Sequence, residues 1–324
     1  MLCSAHRRLA GLIAILFLTA CQQPPVSTAA RDANDSTRNI PTRTIEHAMG
    51  ETEVPISPQR VVVLDTTPLD AAIALGIEPV GTIRYGAPPG YLKDAVEDIK
   101  VEEIEVVGNY NQPSLEAILR LEPDLILGAK SISASLYPRL SQIAPTVFIE
   151  GAGYSWDWQR NFQLFAKALG KPDQAEQKLA AYQQQLNTLK EALDKLPETI
   201  RVSVLISTSN ELIAPSLSSF SGSILEDLGL ARNSTQGIEE SSFVRLSKED
   251  LAGADGDVLF LIYNPEWEDT PKEEFVADPV WSQLNAVKQE AVCEVAGDVW
   301  SSGRSVLAAQ RVLQDIENCF KQVF

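Results

Sequence analysis

After Pro172 the chain runs to Leu196 with neither glycine nor proline, and Pro197 then stops it. Proline fits the first turn of a helix and breaks an interior one, so the segment 172–196 reads as one helix. At 1.5 Å per residue it is a rod of about 40 Å, the width of a domain. Leu179, Tyr182, Leu186, Leu189, Leu193 and Leu196 recur along it at helical spacing, so one face packs against protein. The stripe spans about three heptads, too few for a free coiled coil. The segments on either side must therefore build against a rigid bar.

Those two sides are written in one grammar. Before the rod, Val61-Val62-Val63-Leu64-Asp65 is a β-branched run, followed by a helix-like segment to Leu75-Gly76 and a second run, Pro79 to Ile83; Thr146 to Ile149 adds another. After the rod, Val202 to Ile206, Asp257 to Tyr263 and Ala291 to Val295 read as strands, and Ile224 to Leu230 ends a helix. Val306, Leu307, Val312, Leu313, Ile316 and Phe320 form the stripe of a terminal amphipathic helix over 305–320. Runs apolar on both faces, alternating with helical patterns, predict parallel sheets covered on both sides. The fold class is therefore α/β, two Rossmann-like lobes joined by one long helix. The expected divisions are a first lobe at 54–152, connecting helices at 153–197 and a second lobe at 198–324.

One stretch occurs in each lobe. PSLEAILRLEPDLILG, residues 113–128, and LSKEDLAGADGDVLFLI, residues 246–262, place Ser114 and Ser247 as helix N-caps, Glu116 and Glu249 at the second helical position, and Asp124 and Asp257 just before an apolar strand. The helix dipole favours a carboxylate at such a position by roughly 0.3–1 kcal/mol, which by itself explains the glutamates.

The first residues differ from the rest. His6, Arg7 and Arg8 precede an apolar run from Leu9 to Thr19, the length of a signal-peptide core and too short to span a bilayer. Leu18-Thr19-Ala20-Cys21 resembles the lipobox of bacterial lipoproteins, in which the cysteine is acylated; the alternative is an ordinary signal peptide that ends near a cysteine. On the first reading residues 1–21 are the signal and Cys21 carries lipid. Residues 22–53, rich in Pro, Ser, Thr, Asn and Asp, read as a flexible tether. Cys3 leaves with the signal, so Cys293 and Cys319 remain, either as a disulfide in an oxidising compartment or as two separately buried thiols.

Two parallel lobes on one rigid helix set the carboxyl ends of both sheets on a shared crevice, where such sheets bind ligands. The loops there offer Arg84, Tyr85, Tyr110 and Lys130 from the first lobe, and Phe243, Tyr263, Trp267, Trp300 and Arg304 from the second. Arginine forks match carboxylates and aromatic rings cover apolar ligand surface, a combination suited to a bulky anionic chelate. Of Trp156 and Trp158, one is expected in the core and at most one at the crevice. The formal net charge of −17 argues against a nucleic-acid role. Beyond the signal the chain keeps one histidine, His47, which argues against a receptor for bare metal ions and against Ser-His-Asp chemistry. No glycine-rich phosphate loop follows the first strand.

PQRVVVLD, LGIEPVGTI, VGNYNQPSLEAILRLEPDLIL, LEDLGL, RLSKEDLAGADGDVLFLI and DPVWSQLNAVKQEAVCEV together resemble the periplasmic solute-binding proteins of the iron-siderophore and cobalamin type, most nearly the iron(III)-dicitrate and ferric-siderophore branch. The resemblance implies a binding protein rather than an enzyme, a helical-backbone bilobed fold, and no cofactor apart from iron inside the bound chelate. Its ligand would be a ferric siderophore of hydroxamate or citrate type, with cobalamin or haem as the alternative cargo and a non-transport sensory or adhesion module as the alternative role. It further implies a monomer in the periplasm, held to the membrane through Cys21, that docks on an ABC permease dimer by presenting Glu116 and Glu249 to arginines of the two permease subunits.

Overall fold

The computed structural model describes residues 41–84, 87–93, 95–151, 157–197, 200–207, 212–237, 241–247, 249–263 and 276–324. Part of the expected tether is folded: β1 (Thr42–His47) and β2 (Gly50–Pro55) form an antiparallel hairpin. Composition hid the period-two alternation that turns Ile45 and Val54 inward, where both are buried.

The hairpin tip docks on the first lobe. Ala48 N–H donates to the Phe148 carbonyl at 2.9 Å, and Phe148 N–H donates to His47 Nδ1 at 3.2 Å. These bonds occupy an edge that would otherwise be open to another strand. His47 Nε2 then donates to Thr52 Oγ1 at 2.8 Å. Since Nδ1 accepts, the ring is neutral, and burial lowers its pKa. A histidine whose folded pKa is depressed contributes stability that is present above its unfolded pKa and lost as pH falls through the folded value. The stability difference between the wild type and His47→Asn, which keeps an acceptor without a titrating ring, should therefore shrink below about pH 6.5 in urea unfolding. A constant difference down to the acid transition would exclude the role.

In the first lobe, β3 (Val61–Val63), β4 (Gly81–Thr82), β5 (Glu105–Val106), β8 (Leu125–Ala129) and β9 (Thr146–Ile149) make a parallel sheet ordered β5-β4-β3-β8-β9, while β6 (Gly108–Asn109) and β7 (Gln112–Pro113) form a short hairpin beside it. The helix Thr66–Ala74 follows β3, capped by the Asp65 carboxylate, which accepts from Thr66 N at 2.7 Å. All its residues except Thr66 are buried, because it lies between the sheet, the helix Trp158–Leu169 and the terminal helix Val306–Val323. One apolar core consequently runs from Val63 through Ile73, Phe165 and Tyr182 to Leu313 and Phe260, joining the two lobes.

The rod spans Pro172–Leu193, then turns before Pro197. Tyr182, Leu186, Leu189 and Leu193 are buried and Leu179 and Leu196 packed at the margin, as the stripe predicts. Trp158 meets Tyr182 edge-on at 4.9 Å and so is core; Trp156 lies outside the described residues.

The second sheet is mixed rather than wholly parallel. β12 (Ala231–Arg232), β14 (Val258–Tyr263) and β15 (Val292–Ala296) run parallel to β10 (Arg201–Ser207) or its neighbour, whereas β11 (Leu212–Pro215) is antiparallel to β10, and β13 (Phe243–Leu246) to β11. On one side β10 pairs with β12 at Arg201–Val202 and with β11 at Ile206–Ser207. Gln236 fills the gap between them: its Oε1 accepts from Val204 N at 3.0 Å and its Nε2 donates to Ser203 Oγ at 2.9 Å. A disulfide joins Cys293 of β15 to Cys319 of the terminal helix, with Cα atoms 5.9 Å apart.

The repeated stretch has a structural purpose in both lobes. Asp124 N–H donates to the Arg60 carbonyl at 2.9 Å while its carboxylate accepts from Gln59 N and Arg60 N, bracing the start of β3. Asp257 does the same at β10, through Arg201 O at 2.8 Å and Arg201 N at 2.8 Å. Ser114 caps the helix Leu115–Arg120 through Ala117 N. Ser247 forms a reciprocal capping pair with Asp250, but the turn it opens, Glu249–Ala254, is 3₁₀ rather than α.

Candidate binding cleft

The chain just after β3 in one lobe and just after β15 in the other meet at the seam between the lobes, which polar contacts fix. Thr66 Oγ1 donates to the Ser302 carbonyl at 2.7 Å, and Gly90 N–H donates to Asp298 Oδ2 at 2.6 Å. Deeper, Asp70 of the first lobe accepts from Leu307 N at 3.1 Å and Ala308 N at 3.0 Å, so it caps the terminal helix of the second lobe. Tyr91 donates its hydroxyl to the same carboxylate at 3.1 Å. Burial raises the Asp70 pKa to about 6, against the opposing pull of those hydrogen bonds.

Arg304 stands at this seam. Its backbone is left-handed, φ 54°, a conformation disfavoured for a side chain of this size, and its Nε donates to the Ser301 carbonyl at 3.2 Å. Its charge acts on two neighbours. Burial raises the pKa of Asp65, and Arg304 pulls it back down together with the Thr66 and Thr67 hydrogen bonds. Tyr110 hydrogen-bonds Thr66 and is likewise shifted upward, first by burial and then by Asp65, with Arg304 opposing. Tyr110 and Arg304, both expected at the crevice, are thus brought together, with Asp65 between them in effect.

Other expected residues scatter. Arg84, at the end of β4, is half-buried and donates through Nη2 to the Val101 and Ile104 carbonyls at 3.0 and 3.4 Å. Lys130, at the end of β8, pairs with the exposed Glu150 at 3.0 Å. Tyr263 is half-buried at the carboxyl end of β14. Trp300 is a correction: it is 1% exposed, its ring stacks on Phe260 at 4.7 Å, and its Nε1 donates to Asp315 at 3.0 Å, so it belongs to the core. Phe243 is exposed on β13 opposite Pro215, set back from the carboxyl end, where Leu246 pairs with Leu212. Tyr85, Trp267 and Cys21 lie outside the described residues. Glu116 is exposed on the helix Leu115–Arg120, and Glu249 opens its 3₁₀ turn.

Sequence reasoning missed Asp65, Asp70 and Asp298. Asp65 carried a signal, since an aspartate between a buried strand and a helix start is an N-cap at a carboxyl edge. Asp70 carried none, because the helix start it caps, at Leu307 and Ala308, is more than two hundred residues away. Among the described residues no group of three or more His, Cys, Asp or Glu side chains is placed to hold a metal ion, and no helix is long and apolar enough to cross a membrane.

A bilobed α/β protein with its crevice at the carboxyl edges of both sheets is a solute-binding protein by architecture. The chain belongs to the periplasmic binding protein family, which matches residues 61–298. "Probable siderophore-binding lipoprotein YfiY" of Bacillus subtilis (strain 168) is 33% identical over 326 residues, covering 95% of each chain. "Fe(3+)-citrate-binding protein YfmC" of the same organism is 29% identical over 309 residues, covering 94% of this chain and 93% of that one. Among solved structures, Staphylococcus aureus SirA complexed with staphyloferrin B is similar with a TM-score of 0.75 at 28% identity, over 86% of this chain and 99% of that one.

Proposed function

We propose that this protein is an extracytoplasmic, lipid-anchored receptor that captures a ferric siderophore between its lobes and delivers it to the permease dimer of an ABC importer. The observation that carries the reading is the seam itself, where Tyr110 and Arg304 from opposite lobes are drawn to one point beside Thr66. The full-length similarity to siderophore- and citrate-named relatives supports the cargo class. The receptor acts as a monomer, and binding needs no chemistry from the protein, only enclosure and polar matching of the chelate. Arg84, Lys130 and Tyr263 at the strand ends extend the contact surface, and Tyr85 and Trp267 are proposed as further ligand contacts on the sequence alone. Glu116 and Glu249 are the docking posts. A fluorescence-quenching screen against ferric hydroxamate, catecholate and citrate complexes, cobalamin and haem tests the reading. Saturable quenching by a ferric chelate supports it; response to cobalamin or haem alone would reassign the cargo.

The anchor has its own test. Cys21→Ala should move the protein from the membrane fraction to the soluble one, because the acyl chains supply the apolar area that holds it there and among the described residues no helix is long and apolar enough to replace them. Unchanged membrane association with normal signal removal would place the anchor elsewhere.

A further inference from the structure

Thr66, Asp70 and Gly90 of the first lobe all meet the second lobe between Cys293 and Cys319. Thr66 donates to the Ser302 carbonyl, Gly90 N–H to Asp298, and Asp70 accepts from Leu307 N and Ala308 N. The disulfide closes that stretch into a covalent ring, its two cysteines 26 residues apart in sequence. The base of the ring is β15, which stands last in its sheet with β14 as its neighbour, so hydrogen bonds hold it from one side. The opposite arm is the terminal helix, which Asp70 holds at its first turn and Cys319 near its far end. Trp300 braces the ring from within, donating to Asp315 at 3.0 Å. Between the arms the strap 301–305 is tightly folded. A side chain at Gly303 would collide with Ala308, and Arg304 is left-handed, φ 54°, a conformation that persists where the surroundings over-determine it.

We infer that Cys293 and Cys319 are positioning residues for capture, an inference that rests on the receptor reading above. Both are buried, so they act through Asp298 and the strap rather than on the chelate. The closed ring keeps Asp298 opposite Gly90 and the Ser302 carbonyl opposite Thr66 before any ligand arrives. Lobes held in register beforehand lose less freedom when a chelate bridges them, and binding is tighter for it. With the ring open, β15 and the helix Gly297–Trp300 are free to shift against the terminal helix. The core is less dependent on the bond, because Val312, Leu313 and Ile316 keep the terminal helix packed and Val202, Val204 and Phe260 are fully buried. Loss of the disulfide is therefore felt at the seam before it is felt in the fold.

The test is calorimetric titration of the full chain in detergent, well below its melting temperature, with ferric citrate, a ferric linear trihydroxamate and a ferric tris-catecholate as probes. Cys293→Ala combined with Cys319→Ala should weaken binding of whichever probe the wild type takes by about tenfold. Asp298→Ala, a change at a half-exposed position, removes the Gly90 contact with the disulfide intact and should weaken it about fivefold. Added to the disulfide-free variant, Asp298→Ala should cost less than about twofold more, because both changes act through one set of contacts. Hydrogen exchange supplies a readout free of the ligand. The Leu307 and Ala308 amides should exchange about tenfold faster without the disulfide, while Ile126 and Val204, in central strands, keep their rates. Unchanged affinity, an Asp298→Ala effect that adds in full, or faster exchange everywhere overturns the inference while the receptor reading stands. If no probe binds the wild type, the receptor reading falls and exchange alone decides: quickening confined to Leu307 and Ala308 supports the brace, and uniform quickening or none overturns it.

Discussion

If the two glutamates are docking posts, Glu116→Arg combined with Glu249→Arg is expected to abolish chelate uptake while affinity for the chelate in solution stays within about twofold of wild type, because charge complementarity governs docking. Glu116 stands exposed at the second residue of the helix Leu115–Arg120, and Glu249 opens the corresponding turn of the other lobe. Both turns are held by serine caps, and both lead into strands whose starts are braced by an aspartate, Asp124 or Asp257. The two positions thus stand on capped elements, one in each lobe. If the glutamates serve only the local dipole, the double variant loses a little stability and transports normally. Transport, affinity and melting temperature measured on one preparation separate the two explanations, and normal transport at normal protein level would reduce the repeat to capping and bracing.

The parts of the fold legible in the sequence were those set by local rules. The rod followed from the absence of glycine and proline and from one apolar stripe, and the central strands from β-branched runs. What was not legible depended on partners distant in the chain. The hairpin Thr42–Pro55 looks like tether because its polar composition outweighs an alternation of few apolar residues, and its stability comes from Phe148, about a hundred residues on. Trp300 looks like a crevice aromatic because it follows a strand end, yet its ring packs on Phe260 and its indole N–H finds Asp315 one helix away. β11 and β13 are short and lie beside a strand that already reads as complete, so nothing local announces the antiparallel addition. At the seam, Tyr110 and Arg304 stand out by residue type, whereas the carboxylates that set their charge do not.

Asp70 carries the last and largest stability effect. It sits on a helix of the first lobe, fully buried, and its carboxylate holds the first turn of the terminal helix in the second. Asp70→Leu would leave Leu307 N–H, Ala308 N–H and the Tyr91 hydroxyl without a buried acceptor, a loss of about 3–9 kcal/mol when each of the three unsatisfied groups costs about 1–3. Asp70→Asn isolates the charge. Because the folded pKa of Asp70 is raised to about 6, its titration contributes stability that is fully present below the unfolded value and lost as pH rises through the folded one. Across that window the contribution is roughly 3 kcal/mol, since each tenfold difference in proton affinity between the folded and unfolded chain is worth about 1.4 kcal/mol. Urea unfolding of wild type and Asp70→Asn should therefore show the wild type gaining relative stability as pH is lowered from about 7 to about 4.5. A difference that stays flat over that range would mean that the carboxylate reaches solvent and that the lobes are held together by the packing of Ile73, Val312 and Leu313 rather than by this latch.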